Sequence, residues 1–426
     1  MIIINLYFRF IILHLLLLIF GMKKIFLTLF IVWFSVNYSS GQTKLGSNAK
    51  REKTFVNGRG GIDTLNTSSS TKVILSGKTK YTDYKIISHQ NDTTYIDTTL
   101  HIRKEYIFNY LRKDIFELLP FHNQGQTFNT LGYNFNNLKR LPDFGFTAKQ
   151  FSYFDVEDIK YYEVPTPTTQ ISYKTGLQQG QFVDAIFTLN FSKRLNVSLS
   201  YKGLRSLGAY RRALVSNGNF RGAFHYKTKE DQYQIKGHIT KQDFFHQENG
   251  GLTTSALESF IDEDPDFEQR SRLDVNLNDA ESQFDSNRFY IEHSYKLISK
   301  KDTLNAKDFS NLKIGHVFNS ESKEYRFTQP TLTTDIFGNA NATDADNNVA
   351  ENAIIDNELN LEFNSKYVLG KFKAKLNFTN YSYGYDTILN SNSTITETKL
   401  KGNVLSFGAD WNAKIKNFKL NASGAI

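Results

Sequence analysis

The sequence predicts an all-β fold, an antiparallel transmembrane β-barrel with short periplasmic turns and long extracellular loops. Three observations predict it. Apolar and polar residues alternate through a series of hairpins, no helix of globular length interrupts them, and connections of a few residues alternate with long polar ones. After Gln42 no apolar stretch approaches the roughly 20 residues that a membrane helix needs, so a membrane-embedded form of this chain crosses with strands.

Composition agrees. The 426 residues include 36 Phe and 23 Tyr against 6 Pro and 26 Gly, an aromatic content that argues for a large ordered structure. The absence of cysteine excludes a disulfide framework, a thiol nucleophile and thiolate metal sites. The formal net charge is +8, of which Arg9, Lys23 and Lys24 contribute three, and the +5 left is too weak a balance to indicate nucleic acid.

Elements follow in order. Residues 1–21 read as an upstream extension, because Met22 alone opens a complete signal peptide over 22–41. Lys23 and Lys24 form its basic start, Ile25 to Phe34 its apolar core, and Ser39, Ser40 and Gly41 the small residues before cleavage at Gln42. The competing reading is a transmembrane hairpin of the two apolar runs. Residues 42–103 form a polar segment with a few strands, marked by Val73 and Leu75, then Tyr84, Ile86 and Tyr95 about a turn at Gln90 to Asp92. In 104–180, the entry region of the barrel, Tyr106, Phe108 and Tyr110 alternate, Asp114 to Leu119 fits strand or helical turn, and turn residues gather from Asn123 to Pro167.

Barrel strands are expected from 181 to 426. Phe182 opens the first hairpin: Val183, Ala185, Phe187, Leu189 and Phe191 alternate, a turn spans Ser192 to Asn196, and Val197, Leu199 and Tyr201 return. The unit recurs from Phe220 through a turn at Thr228 to Asp231, from Phe289 to Phe318, from Leu359 through a turn at Gly370 to Tyr381, and from Leu405 to a turn at Asn412 to Lys414. The long connections are Leu204 to Asn219, Lys241 to Arg288 and Thr328 to Glu358. Charges of both signs occupy the polar positions, among them Asp184, Lys202, Lys236, Glu292, Lys313, Glu362, Lys373 and Asp410. They suit a water-filled lumen, and equally the solvent face of a sheet. The class ends on an aromatic-terminated closing strand, absent before Ile426, so the chain reads as C-terminally truncated.

A string of short segments resembles the family of putative porins of Bacteroidota outer membranes. The carrying residues are Lys104 to Tyr106, Phe116 to Pro120, Asn123 to Gln126, Asn129 to Tyr133, Leu141 to Gly145, Tyr161 to Pro167, and the first hairpin with its exit at Lys202 to Ser206. The resemblance implies a single-chain outer-membrane barrel with a porin role.

The sequence offers no catalytic constellation. There is no HExxH, no Gly-rich phosphate loop and no GxSxG elbow, so the chain reads as non-enzymatic and without a cofactor. His293 and His316 share the apolar register of adjacent strands, where a cross-strand packing pair outweighs a metal site. Arg205, Arg211, Arg212 and Arg221 flank the first long loop and would form a lumen constriction if that loop folds inward. Asp262, Glu263, Asp264, Asp266 and Glu268 lie in the longest loop, where carboxylates suit Ca²⁺ or divalent bridges to lipopolysaccharide, although no EF-hand spacing is present and a solvated loop uses the same residues. Expected partners are outer-membrane lipid, lipopolysaccharide and the barrel-assembly machinery, with no nucleic acid. The function read from these features is passive diffusion of small solutes through an outer-membrane channel. The alternatives are a non-conducting structural or adhesive barrel and an exported soluble β-rich binding protein.

Overall fold

A computed structural model describes residues 79–97, 118–132, 152–176, 178–301, 308–331, 346–365, 368–389, 394–415 and 418–426. The signal-peptide and upstream segments and the strands expected at Val73 and from His101 to Asn109 lie outside these residues. All described elements belong to the unit Ile74–Ile426.

Eleven strands form one antiparallel sheet in sequence order: β6 Thr168–Gly176, β7 Gly180–Ser192, β8 Leu195–Ser206, β9 Val215–Lys227, β10 Tyr233–Gln247, β11 Glu281–Lys301, β12 Asp308–Gln329, β13 Asp346–Ser365, β14 Val368–Leu389, β15 Thr394–Ile415 and β16 Phe418–Ala425. Every strand pairs with its chain neighbours, the pattern of a meander. The sheet therefore opens at Thr168, earlier than the alternation beginning at Phe182 suggests.

Local chemistry sets the hairpins. Ser192 Oγ accepts from the amides of Arg194 and Leu195, both at 3.2 Å, closing the β7–β8 turn. The β9–β10 turn falls at Thr228 to Asp231 as expected, with Asp231 at φ 52 and Thr228 bonded to Tyr233. Two turns fall elsewhere. The last hairpin turns between Ile415 and Phe418, because β15 keeps its register through Asn412 to Ile415. β13 and β14 join across residues 366–367, and Gly370 instead lies inside β14 at φ +85, just past a register shift. A Cβ at Gly370 would collide with the Asn412 carbonyl oxygen and meet Ala413 Cα at 2.8 Å. Gly370→Val should cost at least about 1–3 kcal/mol, read as a lowered urea midpoint of the folded protein.

The long strands differ most from expectation. β11 to β15 run 20 to 22 residues, and each changes character along its length. On one face β11 carries Leu297, Tyr295, His293, Ile291 and Phe289, then Asn287, Asp285 and Gln283; β15 carries Trp411, Ala409, Phe407 and Leu405, then Asn403, Lys401 and Lys399. The apolar stretch spans nine residues in β11 and seven in β15, about 20–26 Å of strand, and lies toward the connections at Lys193–Arg194, Thr228–Gln232, 302–307, 366–367 and 416–417. Because the strands continue past that stretch, the long connections shrink to residues 207–214, 248–280 and 330–345. The opposite end also holds two short connections, 177–179 and 390–393, a departure from the expected division of short turns and long loops.

Burial is inverted relative to a water-soluble sheet. Ile239 is 50% exposed, Leu405 58% and Phe407 61%, whereas Lys236, His238, Thr240, Gln242 and His246 on the other face of β10 are buried. In a soluble sheet the apolar face fills the core and the polar face meets water. Here the apolar faces of adjacent strands form a continuous exposed band.

Residues before β6 lie against the polar face. β1 Lys85–Ile87 pairs with β2 Thr93–Tyr95 in the hairpin expected around Asn91, and also with β5 Tyr161–Glu163, a pairing between segments 74 residues apart that periodicity does not reveal. β3 Leu118–Pro120 pairs with β4 Phe128–Thr130, so Leu118 and Leu119 are strand, not helical turn. Among the described residues one α-helix occurs, α1 Thr254–Ile261 in the 248–280 connection, capped by Thr253 Oγ1 accepting from Ala256 N at 3.3 Å.

Candidate functional site

The polar face of β7 to β12, together with the insert made by 79–97, 118–132 and 152–165, gathers the chain's buried charge. Strand parity aims the wall side chains: Lys236, His238, Thr240, Gln242 and Phe244 of β10 oppose Glu292, Tyr290, Arg288, Ser286 and Phe284 of β11. The insert is held by polar contacts along the height of this wall.

At the short-connection end Glu163 accepts from Lys227 Nζ at 2.8 Å and from Lys85 Nζ at 3.2 Å, joining β5, β9 and β1. Burial opposes its ionisation, but the two ammonium groups outweigh burial and hold the carboxyl below the usual carboxylate range. Val164 N donates to Asn190 Oδ1 at 3.3 Å. Lys236, 1% exposed, donates to the His89 carbonyl at 2.5 Å and Asn91 Oδ1 at 3.0 Å and pairs with Glu292 at 3.2 Å. Tyr161 bonds His238 Nδ1 at 2.9 Å. Burial first, and then the Glu292 carboxylate, push this phenol up, so it stays protonated.

Midway, Gln242 clasps the backbone of Phe154, accepting from its amide at 2.9 Å and donating to its carbonyl at 3.1 Å. Arg288 donates to Glu321 through Nε at 2.9 Å and Nη2 at 2.6 Å, to Phe154 O at 2.9 Å and to the Tyr153 hydroxyl at 2.9 Å. Tyr153 donates in turn to Glu321 and bonds Ser286 at 2.9 Å. Its phenol is pushed up by burial and by the Glu321 charge.

Toward the loop end Asn123 bonds Ser206 Oγ at 2.8 Å and donates to the Ser206 carbonyl, and Asn217 donates to Gly125 O at 3.0 Å and Ser152 Oγ at 3.3 Å. Gly125, at φ +86, leaves no space for a side chain: its Cβ would meet Leu204 Cδ2 at 2.5 Å and Val215 Cγ1 at 2.7 Å. A cavity of about 330 Å³ lies between the insert and β6 to β9, with Phe154, Tyr162, Asp184, Lys202 and Arg221 in its lining.

The structure separates the four arginines singled out in sequence. Arg221 lies on the polar face, 3.8 Å from Asp184 and with its guanidinium 4.0 Å from the Phe154 ring centroid. Arg205 has the opposite parity in β8, on the face of Leu199 and Tyr201, and is exposed. Arg211 and Arg212 stay in the 207–214 connection, paired with Asp274 at 2.6 Å and Glu281 at 3.1 Å. The period of two in a strand places Arg205 and Arg221 on opposite faces of the sheet. In the acidic loop Asp262 caps α1, Asp264 accepts from the Asp266 amide at 3.0 Å, and Glu263 and Glu268 are exposed. Among the described residues no three carboxylate or imidazole groups converge as metal ligands. His293 and His316 do oppose each other, with a nitrogen contact of 3.2 Å.

The sequence reading missed Tyr153, Phe154, Gln242, Arg288 and Glu321. One of these was legible by parity: Arg288 continues the even face of β11 with Phe284, Ser286 and Tyr290, but the stretch up to Arg288 reads as loop because its other face has turned polar.

Among solved structures, the chain is similar to the ferric citrate transporter FecA in its unliganded form at 10% identity, over 60% of this chain and 43% of that one, with a TM-score of 0.32. It is also similar to the ferric-catecholate import receptor Fiu of E. coli K12 at 12% identity, over 61% and 50%, with a TM-score of 0.29. The chain thus spans about half the length of these structures or less. No curated protein matches. The family model described as "Putative porin" matches residues 80–426, most of the chain, and the chain belongs to that family.

Proposed function

We propose that this protein is an outer-membrane channel whose barrel wall across the bilayer includes β6 to β16, and that it passes small polar solutes down their gradients without a cofactor or covalent chemistry. The observation that carries the reading is the inverted burial, with apolar Ile239, Leu359 and Phe407 outward and polar Lys236, Gln242 and Asn377 inward. Lipid is the solvent that makes this arrangement favourable, and it requires closure, since open strand edges are not tolerated in hydrocarbon. The apolar stretch, tilted by about 40°, gives a band roughly 15–20 Å tall, somewhat thinner than the ~25 Å expected of such barrels. A lumen lined by cross-strand ion pairs, Lys313 with Glu362 at 3.7 Å and Lys373 with Glu358 at 3.0 Å, favours hydrated solutes.

The test is envelope fractionation with electrophoresis of unheated and boiled samples, followed by planar-bilayer recording. A heat-dependent band shift, outer-membrane recovery and discrete conductance steps are expected. Extraction by alkaline carbonate with no shift would overturn the membrane reading. A shifted band with no conductance would instead favour a structural or adhesive barrel, which the polar upper halves of β11 to β15 also suit.

A further inference from the structure

We propose that the insert formed by residues 79–97, 118–132 and 152–165 is an autoinhibitory plug: docked on the polar face of β8 to β12 it narrows the lumen, and its release widens the conducting path. This rests on the channel reading above. Three features of the contact carry it.

The insert covers the wall from one end to the other, from the Glu163–Lys227 pair beside the short turns to the Asn123–Ser206 bond at the loop end. While it is docked, Asn217, His238, Gln242 and Arg288 of β9 to β11 are buried. The wall beneath it is also built to tolerate water. The contact is mixed: parting exposes small apolar clusters, Ile87 and Ile159 with Ala223 and Tyr153 with Phe244 and Phe284, but also Lys236, Gln242, Arg288 and Asn217, which hydrate readily. Buried ion pairs and hydrogen bonds exchange with water at little net gain, so the polar part of the contact holds the docked state less strongly than an apolar core of the same extent would. The approach is nevertheless specific. Gly125 at φ +86 meets the wall with no space for a Cβ, and Gln242 matches the Phe154 peptide group with both of its amide atoms.

The far wall stays open. Lys313, Glu362, Lys373 and Glu358 on β12 to β14 keep partial exposure with the insert in place, so a residual polar route remains beside the plug.

The natural chain has no cysteine, which makes a thiol lock unambiguous. In the full chain carrying Asn123→Cys with Ser206→Cys, the oxidised form holds the insert, and the reduced form lacks the Asn123 hydrogen bonds. Gly125→Val is the second variant and forces the insert off the wall by size. Folding of each is checked by the heat-dependent band shift, and release by trypsin cleavage at Lys85 or Lys160. Oxidised protein conducting like the natural chain, with several-fold larger single-channel conductance on reduction and in Gly125→Val, is the expected result. Equal conductance in all forms, with trypsin reporting release, overturns the plug and leaves the channel reading standing. Absence of conductance in every heat-shifted form overturns both.

Discussion

Leu359→Arg should destabilise the folded protein by about 2–4 kcal/mol, whereas Ser322→Arg should change stability by less than about 1 kcal/mol. Both positions lie on the face of the sheet opposite the insert. Leu359 is 53% exposed and sits within the apolar stretch of β13 between Phe363 and Ile355; Ser322 lies in the polar upper half of β12, between Asn287 and Ala353 in the neighbouring strands. In water an exposed leucine is replaced by arginine at almost no cost, so a large penalty requires a medium that solvates the guanidinium poorly. A position a few residues higher should escape it, because an arginine there reaches headgroups or water. Urea unfolding of vesicle-inserted protein with the slope unchanged gives the two free energies. Equal, small effects at both positions would remove the membrane band. Equal, large ones would place Ser322 within it.

That contrast also marks where the sequence is legible. The alternation of Phe289, Ile291, His293 and Tyr295 against Glu292 and Lys296 locates strand, face and register, down to the opposition of His293 and His316, because one face is uniformly apolar. Above Phe289 the strand continues with Asn287, Asp285 and Gln283 on the same face, and a segment polar on both sides cannot be told from a loop by periodicity. The ladder to β10 and β12 keeps those residues extended, and pairing partners are a tertiary fact. The insert is harder still. β1 and β5 are three-residue strands lying 74 residues apart, and Gln242 and Arg288 hold the insert by the carbonyl of Phe154, contacts that leave no periodic trace. The four arginines divide for a plainer reason: Arg205 and Arg221 have opposite parities in the register of their paired strands and so face opposite sides of the sheet, while Arg211 and Arg212 lie in the connection between them.

Arg288→Met is expected to cost about 3–5 kcal/mol, and adding Glu321→Leu to recover most of that loss. Arg288 is 1% exposed at its side chain and Glu321 12%, and Tyr153 and Lys323 complete the cluster, Lys323 at 3.4 Å from the second carboxylate oxygen. Removing the guanidinium alone leaves the Glu321 carboxylate buried with one ammonium, Lys323, and a phenol as its remaining partners. The double variant removes the buried anion as well and substitutes apolar volume, and the Phe154 carbonyl keeps its bond from Gln242 Nε2. What the double variant cannot restore is the Tyr153 hydroxyl's place between Arg288 and Glu321. The insert should therefore stay looser than in the natural protein even where the urea midpoint returns, with trypsin cutting at Lys160 faster while the band shift persists. A double variant as unstable as Arg288→Met would show that the ion pair contributes net stability here. One as resistant to trypsin as the natural chain would show that Tyr153 packs the insert in place through its ring, which stands edge-on to Phe284 with centroids 5.7 Å apart, and not through its hydroxyl.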